Sequence, residues 1–398
     1  MRNAIRQIKG KRILENLPSK SIDGSIIITT AILWTTSNFR LELVKFLVLE
    51  GYKVYCIGDP YDKFAESERR LKSVGAEVIK IEIDRKSVNV FHDVQYFFRL
   101  LKVYRKIKPI AALHFTPKPN IYGSLVCRIL GLSSLSTING LGSGILQRNM
   151  ASVIQLSLYR FSLRHQKIVF FQNASDSQYF LQKRLVKPCQ IKFMPGSGIN
   201  TEYFNLPSIS IGRSLKFMFV GRLLKDKGFN EFIEAARKIV PNRTNARFYV
   251  AGFLDTGNPS AVTSSYLGDL VKEGVIEYLG PFPDVREAFK KAHVVVLPSY
   301  REGLSRLLLE AASCNRPIIA SDVPGCKEIV NEGVNGLLCE PRSSESLCNA
   351  MIKMLDMTDT QIREMGEAGR EMVIKYYNSD IVNETYLEAI EEIVELKR

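Results

Sequence analysis

The chain has 398 residues, room for two domains of ordinary size, and its 45% hydrophobic and 24% charged residues mark a folded globular protein, not a disordered or fibrous one. No run reaches the roughly 18 apolar residues of a spanning helix, the basic first twenty residues lack the apolar core of a secretory signal, and seven scattered cysteines without C-x-x-C spacing argue against a disulfide framework or zinc site and for a reducing compartment. A net charge of +14 admits nucleic acid, an anionic leaflet or phosphorylated ligands as partners.

Residues 1–24 are polar, basic and peripheral. A strand over 25–29 is followed by a loop over 30–40 carrying Asn38 and Arg40, then a helix with Leu43, Phe46 and Leu47 that Gly51 caps. A strand at 53–57, a helix at 66–74 and a strand at 77–81 continue a βαβα pattern, the opening of a doubly wound parallel sheet. Residues 91–108 form an amphipathic helix with Phe91, Val94, Phe97, Phe98, Leu101, Tyr104 and Ile107 on its apolar side; Arg99, Lys102, Arg105, Lys106 and Lys108 make the remainder basic. Two readings stand: a core-packing helix with a solvated face, or a helix lying on a membrane surface.

The strand 110–115 delivers His114, Thr116, Lys118 and Asn120 into a loop stiffened by two prolines, and Gly123 starts the next helix. His114 is either a functional group or a packed one. The strand 134–138 ends in a glycine-rich loop containing Asn139 and Gly142. It is not a strict G-x-G-x-x-G and no ribose-binding acid follows about twenty residues on, so it is a weak dinucleotide signature; its N–H groups suit a phosphate or a sugar. Residues 147–167 form a second basic helix with Met150, Val153, Ile154, Leu158 and Phe161 as its stripe. A strand at 168–171, a helix at 175–184, a strand at 192–194 and a linker to 214 complete this half.

The second half alternates strand and helix. A buried strand over 216–221 ends at Gly221 and releases Arg222, Lys227 and Gly228 at its C-terminal end, where ligands of open α/β sheets bind. Arginine offers a planar fork for phosphate oxygens, lysine a point charge, and glycine a close backbone approach. Strands at 247–251 and 277–279 follow, then a loop with Phe282. The strand 294–297 runs into a loop and a helix with Leu304, Leu307, Leu308 and Ala311 at helical spacing, stopped by Pro317 before a strand at 318–320. Residues 322–335 read as a turn and short helix, 336–338 as a strand, and 344–356, 359–377 and 380–396 as helices. Glu302 and Glu310 bracket the helix; on one continuous helix they stand about 80° and about 12 Å apart, too far for an acid–base pair on one bond but suited to two contacts along an extended ligand. The N–H groups of Gly303, Leu304 and Ser305 at a helix start seat a phosphate. Alone, two glutamates are surface residues; combined with the Arg222–Lys227 loop they describe a sugar-nucleotide site.

VGRLLKDKG, LPSYREGLSRLLLEA and IIASDVPGCKEIVNEGVNGLL resemble the donor domain of the retaining family 4 glycosyltransferases, closely over residues 217–341. The loops HFTPKPN and TINGLG resemble the bacterial subgroup acting on polyprenyl-diphosphate-linked sugars. The resemblance implies the GT-B fold: two doubly wound, Rossmann-like parallel-sheet domains facing a cleft, over 1–206 and 207–379, with a helix at 380–398 crossing back. It implies a hexosyltransferase retaining anomeric configuration, with Arg222, Lys227 and Glu302 catalytic and Gly221, Arg222, Lys227, Phe282, Glu302, Gly303, Leu304, Ser305 and Glu310 binding a UDP-linked sugar. Acceptor contacts fall to Asn38, Arg40, His114, Thr116, Lys118, Asn120, Asn139 and Gly142. The first loop lacks the family's double glycine, and Asn139 stands where many relatives have a histidine.

The implied partners are the nucleotide-sugar, a lipid-linked sugar acceptor and an anionic membrane surface, with the protein peripheral on the cytoplasmic face of the plasma membrane and engaged in capsule, O-antigen or glycan assembly. With no D-x-D pair and no histidines at ligand spacing, no metal and no cofactor are expected. Three rivals share some of these features. A GT-B sugar-nucleotide epimerase would turn over donor without acceptor, a phosphorylase would use inorganic phosphate, and a nucleic-acid binder would show steeply salt-dependent affinity.

Overall fold

A computed structural model of the chain describes residues 24–60, 64–84, 90–141, 145 and 150–396. They fall into two units: the chain up to Gly198 together with the chain from Ser379 on, and Ile199–Asn378. The boundaries expected at 206 and 379 therefore sit at 198 and 378. Residues 199–206 join the second unit because Ile199 N–H donates to the Tyr377 carbonyl (2.8 Å), and Phe204 and Leu206 are buried in that unit's core.

In the first unit, β1 (Ser25–Ile32), β2 (Lys53–Asp59), β3 (Glu77–Lys80), β4 (Ala111–Phe115), β5 (Ser133–Ile138), β6 (Val169–Phe171) and β7 (Ile191–Phe193) form one parallel sheet in the order β3-β2-β1-β4-β5-β6-β7. In the second, β8 (Leu215–Val220), β9 (Ala246–Ala251), β10 (Glu277–Gly280), β11 (Val294–Leu297), β12 (Ile318–Ser321) and β13 (Gly336–Cys339) run parallel in the order β10-β9-β8-β11-β12-β13. Ile26, Ile27 and Ile28 of β1, Phe217, Met218 and Phe219 of β8, and Val294, Val295 and Val296 of β11 are all fully buried, as central strands covered on both faces require. Strand order reverses between β1 and β4, and between β8 and β11; these switch points place ligand crevices at the strands' C-terminal ends.

Helix Ser379–Glu395 closes the first unit. Val382, Tyr386, Ala389, Ile390 and Ile393 are buried against strand residues of that unit, Tyr386 and Thr137 share a 2.8 Å hydroxyl hydrogen bond, and Tyr386 sits edge-on to Phe115 and Phe170.

Several expected elements differ. The loop over 30–40 is replaced by the end of β1 and helix Leu33–Phe39, because Leu33 and Thr36 are buried and Thr36 shares a 2.7 Å hydrogen bond with Thr30. The helix foreseen from Gly123 is preceded by a wide π-type turn, Pro119–Gly123, and runs Ser124–Leu130. Residues 322–335 make turns without a helix, pinned by Asn335, which accepts from Asn331 N–H (2.6 Å) and donates to the Ile329 carbonyl (3.0 Å). Helices Ser264–Lys272 and Val285–Lys291, capped by Thr263 and Asp284, had no assigned place in the sequence pattern.

The largest difference concerns which helix faces are covered. On Val90–Ile107, Tyr96, Leu100 and Tyr104 are buried, whereas Phe91, Val94 and Phe98 are exposed. Tyr104 sets the rotation, its hydroxyl meeting Thr29 Oγ1 (2.6 Å) and His114 Nε2 (3.2 Å) inside the unit. On Met150–Leu163, the described part of the second basic helix, Met150, Val153, Ile154 and Phe161 are exposed, while Tyr159 and Leu163 are buried.

Gly228 holds φ 77°, and a Cβ there would collide with the Pro298 backbone carbonyl; Gly333 holds φ 73° in open space. Gly333→Ala should cost about 1–2 kcal/mol, the left-handed strain alone, and Gly228→Ala at least about 1 kcal/mol more because the backbone must also shift. Urea unfolding of both variants checks this; equal losses would contradict the close approach.

Candidate functional site

Loops from β8, β11 and β12 converge beside the switch point of the second sheet. Gly221 at the end of β8 holds φ 134° and turns the chain out of the strand. Arg222 follows it and pairs with Asp255 Oδ2 through Nη1 at 3.2 Å, both partly exposed. Lys227 lies in a single tight turn, Lys225–Lys227, and donates to Glu302 Oε1 at 2.5 Å. Ser299, fully buried, donates to the same carboxylate oxygen at 2.7 Å. Lys227 and Glu302 are mostly shielded, with side chains 25% and 15% exposed.

The loop carrying Glu302 is fixed along its length. Tyr300 N–H donates to the Asp226 carbonyl (3.0 Å), and its hydroxyl donates to Glu231 Oε1 (2.7 Å), which pushes the Tyr300 phenol up to about 12 through burial first and the neighbouring carboxylate second. Glu302 N–H donates to the Pro324 carbonyl (3.2 Å) and Ser305 N–H to the Gly325 carbonyl (2.8 Å). A Cβ on Gly325 would press on the Glu302 backbone, so only glycine lets these two loops lie together.

Two expectations change here. Helix Arg306–Ser313 begins after Glu302, with Ser305 as its N-cap, so the helical arithmetic linking Glu302 to Glu310 does not apply. Of the three N–H groups assigned to a phosphate, that of Ser305 is already spent on Gly325. Glu310 lies inside the helix, paired with Arg306 Nε at 2.6 Å one turn earlier. Burial raises its carboxyl above the usual range, against the opposing pull of Arg306. Phe282, in the loop after β10, is half-buried against the same core as Leu279 and Val285.

In the first unit, the residues assigned to an acceptor separate into two groups. Arg40 is 3% exposed, donates to Asn139 Oδ1 (3.0 Å) and lies 4.3 Å over the Phe115 ring and 5.9 Å from that of Tyr386. Gln172, at the end of β6, donates to the same Asn139 oxygen (3.1 Å). Arg40, Asn139 and Gln172 thus meet beyond the C-terminal ends of the central strands. Asn38 accepts from Arg70 (2.6 Å), and Thr116, held at φ 72°, accepts from Ala31 N–H (3.0 Å).

The second group is packed inside. His114 is fully buried, flanked by Tyr104 and by Ser124 Oγ at 3.3 Å from Nδ1, and burial lowers its pKa to about 3. Gly123 is glycine because a Cβ there would come within 2.5 Å of the imidazole. Lys118 is paired with Asp93 (2.5 Å), whose other oxygen accepts from Tyr122 (2.9 Å). Asn120 is buried and donates to the Thr137 carbonyl (3.0 Å). Of the residues assigned to an acceptor, His114 and Asn120 are thus buried and Lys118 is mostly shielded, each with partners inside the unit. Gly142 lies outside the described residues.

Residues 31–173 match the family model described as "Glycosyl transferase 4-like", and residues 214–357 match that of "Glycosyl transferases group 1". Together they span most of both units. This chain belongs to the GT-B glycosyltransferases. It is 25% identical over 375 residues to the N,N'-diacetylbacillosaminyl-diphospho-undecaprenol alpha-1,3-N-acetylgalactosaminyltransferase of Campylobacter jejuni, covering 90% of this chain and 96% of that one. It is 24% identical to the UDP-Gal:alpha-D-GlcNAc-diphosphoundecaprenol alpha-1,3-galactosyltransferase of Escherichia coli, covering 77% and 82%. Among solved structures, HepE of Anabaena in complex with UDP shares the fold at a TM-score of 0.75 and 14% identity, covering 92% of this chain and all of that one.

Ser299, Asp255, Arg306 and Gly325 beside the candidate residues of the second unit, and Gln172 beside those of the first, were not foreseen. Arg306 was readable, since an Arg–Glu pair four apart on a helix is a local signal. Ser299 acts within its own loop, three residues from Glu302, whereas Asp255, Gly325 and Gln172 act across loops distant in sequence and leave no local pattern.

His114 sets a pH dependence. Below pH 6.5 the unfolded chain binds a proton on His114 that the folded chain refuses until about pH 3, so its contribution is full above pH 6.5 and lost as pH falls. The resulting slope is about 1.4 kcal/mol per pH unit across that window. Urea unfolding between pH 7 and 4 should show a shallower slope for His114→Gln than for wild type; equal slopes would mean the imidazole takes up its proton inside the fold.

Proposed function

We propose that this chain transfers a sugar from a UDP-linked donor to a sugar carried on a polyprenyl diphosphate, with retention at the anomeric carbon. The observation carrying this reading is the similarity across both units to transferases whose named acceptors are sugars on diphospho-undecaprenol, one with a UDP-sugar donor. The epimerase and nucleic-acid readings find no such relatives among them.

In this reading Arg222 and Lys227 meet the donor diphosphate and stabilise the charge that builds as it leaves, which is electrostatic preorganisation at a departing anion. The Glu302 carboxylate holds the Lys227 ammonium in place before donor arrives and orients the transferred sugar afterwards. Gly303 and Leu304 supply backbone N–H groups, Glu310 accepts from ribose hydroxyls, and Phe282 lies beside the base. Attack is front-face, and the donor phosphate takes the acceptor proton. The reaction is read as metal-free because the sequence has no D-x-D pair to share Mg²⁺ with the donor phosphates. Arg40 and Asn139, with Asn38 and Thr116 near them, receive the acceptor.

The deciding experiment incubates the protein in EDTA with UDP- and GDP-sugars and a polyprenyl-diphosphate-linked sugar, and identifies the product by mass spectrometry and its anomeric configuration by NMR. A UDP-dependent, retained product is expected, and Arg222→Ala or Lys227→Ala should lower kcat/KM by roughly 10²–10³. Activity within twofold of wild type in both variants, or strict dependence on added Mg²⁺, would overturn the assignment.

The exposed faces point to where the acceptor is met. Among the described residues no helix is long and apolar enough to cross a membrane. Val90–Ile107 exposes Phe91, Val94 and Phe98 beside exposed Arg99, Lys102 and Arg105, and Met150–Leu163 exposes Met150, Val153, Ile154 and Phe161. Apolar and cationic side chains mixed on an exposed helix suit peripheral docking on the anionic cytoplasmic leaflet, each cation contributing about 1 kcal/mol. Co-sedimentation with anionic vesicles should weaken as salt rises and fall for Phe91→Ser/Phe98→Ser and for Arg99→Glu/Lys102→Glu/Arg105→Glu. Wild type that ignores anionic vesicles at low salt would refute the docking.

A further inference from the structure

A cavity of about 270 Å³ opens on the first unit at the N-terminal edge of its sheet. Its walls come from the first residues of β5, the end of helix Ser124–Leu130, residues 162–167 and the last turn of the C-terminal helix. Arg40 and Asn139 belong to the opposite edge, so the cavity is no part of the acceptor site.

Beside apolar Leu132, Ile393 and Leu396 the floor carries polar groups, and most of their protons are committed. Gln166, 7% exposed, donates through Nε2 to Ser124 Oγ (2.8 Å) and Ser134 Oγ (3.3 Å). Ser133 donates to the Ile393 carbonyl (3.0 Å) and Ser124 to that of Asn120 (2.5 Å). The Gln166 Oε1 atom is buried without a donor. What remains on this floor is the Ser134 hydroxyl proton and otherwise oxygen lone pairs, so it suits a ligand that mainly donates hydrogen bonds.

The rim is cationic. Arg128, His165 and Lys167 line it and are exposed, and Arg128 lies 4.8 Å over the Phe161 ring. The His165 imidazole is held below its usual pKa by burial first, and then by Arg128, Arg164 and Lys187. Cations at helix C-termini are commonplace; the acceptor-lined cavity beneath them is what points to a ligand.

We propose that this cavity binds a small phosphorylated polyol, with its hydroxyls donating to Gln166 and the serines and its phosphate held by Arg128, Lys167 and His165. The volume lies just below the roughly 300–1,000 Å³ of ordinary ligand pockets, which suits one phosphorylated monosaccharide or glycerol unit and excludes an oligosaccharide. The phosphorylated polyol is either free in solution or the glycerophosphate head of a lipid.

Isothermal titration of the full chain with glucose 6-phosphate, glycerol 3-phosphate, glucose and inorganic phosphate tests it. At least one of the two phosphorylated polyols should bind ten times more tightly than either glucose or phosphate. Arg128→Ala/Lys167→Ala, both at exposed positions, should weaken that binding at least tenfold, and Arg222→Ala should leave it within twofold. Phosphatidylglycerol vesicles that displace the bound polyol from wild type would assign the ligand to a lipid head; failure to displace it would assign it to solution. Inorganic phosphate binding as tightly as both polyols, an unchanged affinity in the double variant, or a loss in Arg222→Ala instead would overturn the proposal.

Discussion

One ion pair organises the second unit. Lys227 and Glu302 are 75 residues apart in sequence, yet they meet because β8 and β11 are neighbours while β9 and β10 lie on the far side of β8. A parallel sheet sends every strand-end loop to the same edge, and a reversal of strand order opens a gap between two of them. The charges face each other across that gap. Bringing them together takes loops that touch backbone to backbone, which is why Gly228 lies under the Pro298 carbonyl and Gly325 against Glu302. A shielded charge is costly without a partner, so the pair, with Ser299 on the same oxygen, keeps the two charges compensated.

The first unit uses the same sheet plan and a different anchor. Arg40 is buried at the sheet edge, with aromatic rings from β4 and from the C-terminal helix beside it and the Asn139 amide as its acceptor. Tyr386 links that arrangement to Thr137. The last helix of the chain therefore helps to position a residue forty positions from its start, and the covering of this sheet is complete only when the C-terminus has folded onto it.

The helices Val90–Ile107 and Met150–Leu163 show what happens when a helix has more apolar residues than the sheet can cover. Hydrogen bonds of Tyr104 fix the rotation of the first, and the residues left over face outward. An apolar surface of this kind, mixed with lysine and arginine, has a use at a membrane and is a liability in water alone.

The alternation of strand and helix, the parallel sheets and the placing of Arg222, Lys227 and Glu302 in loops at strand ends were legible in the sequence, because each rests on local periodicity or on residues next to one strand. So was the Arg306–Glu310 spacing, although its pairing was overlooked. The partners of these side chains were not legible. That Lys227 meets Glu302, whether His114 faces solvent or Tyr104, and which face of a basic helix is buried all depend on which strands are adjacent and how each helix is rotated on the sheet. A side chain's period along the chain restricts it to a face; only contacts between segments far apart in sequence decide what that face touches.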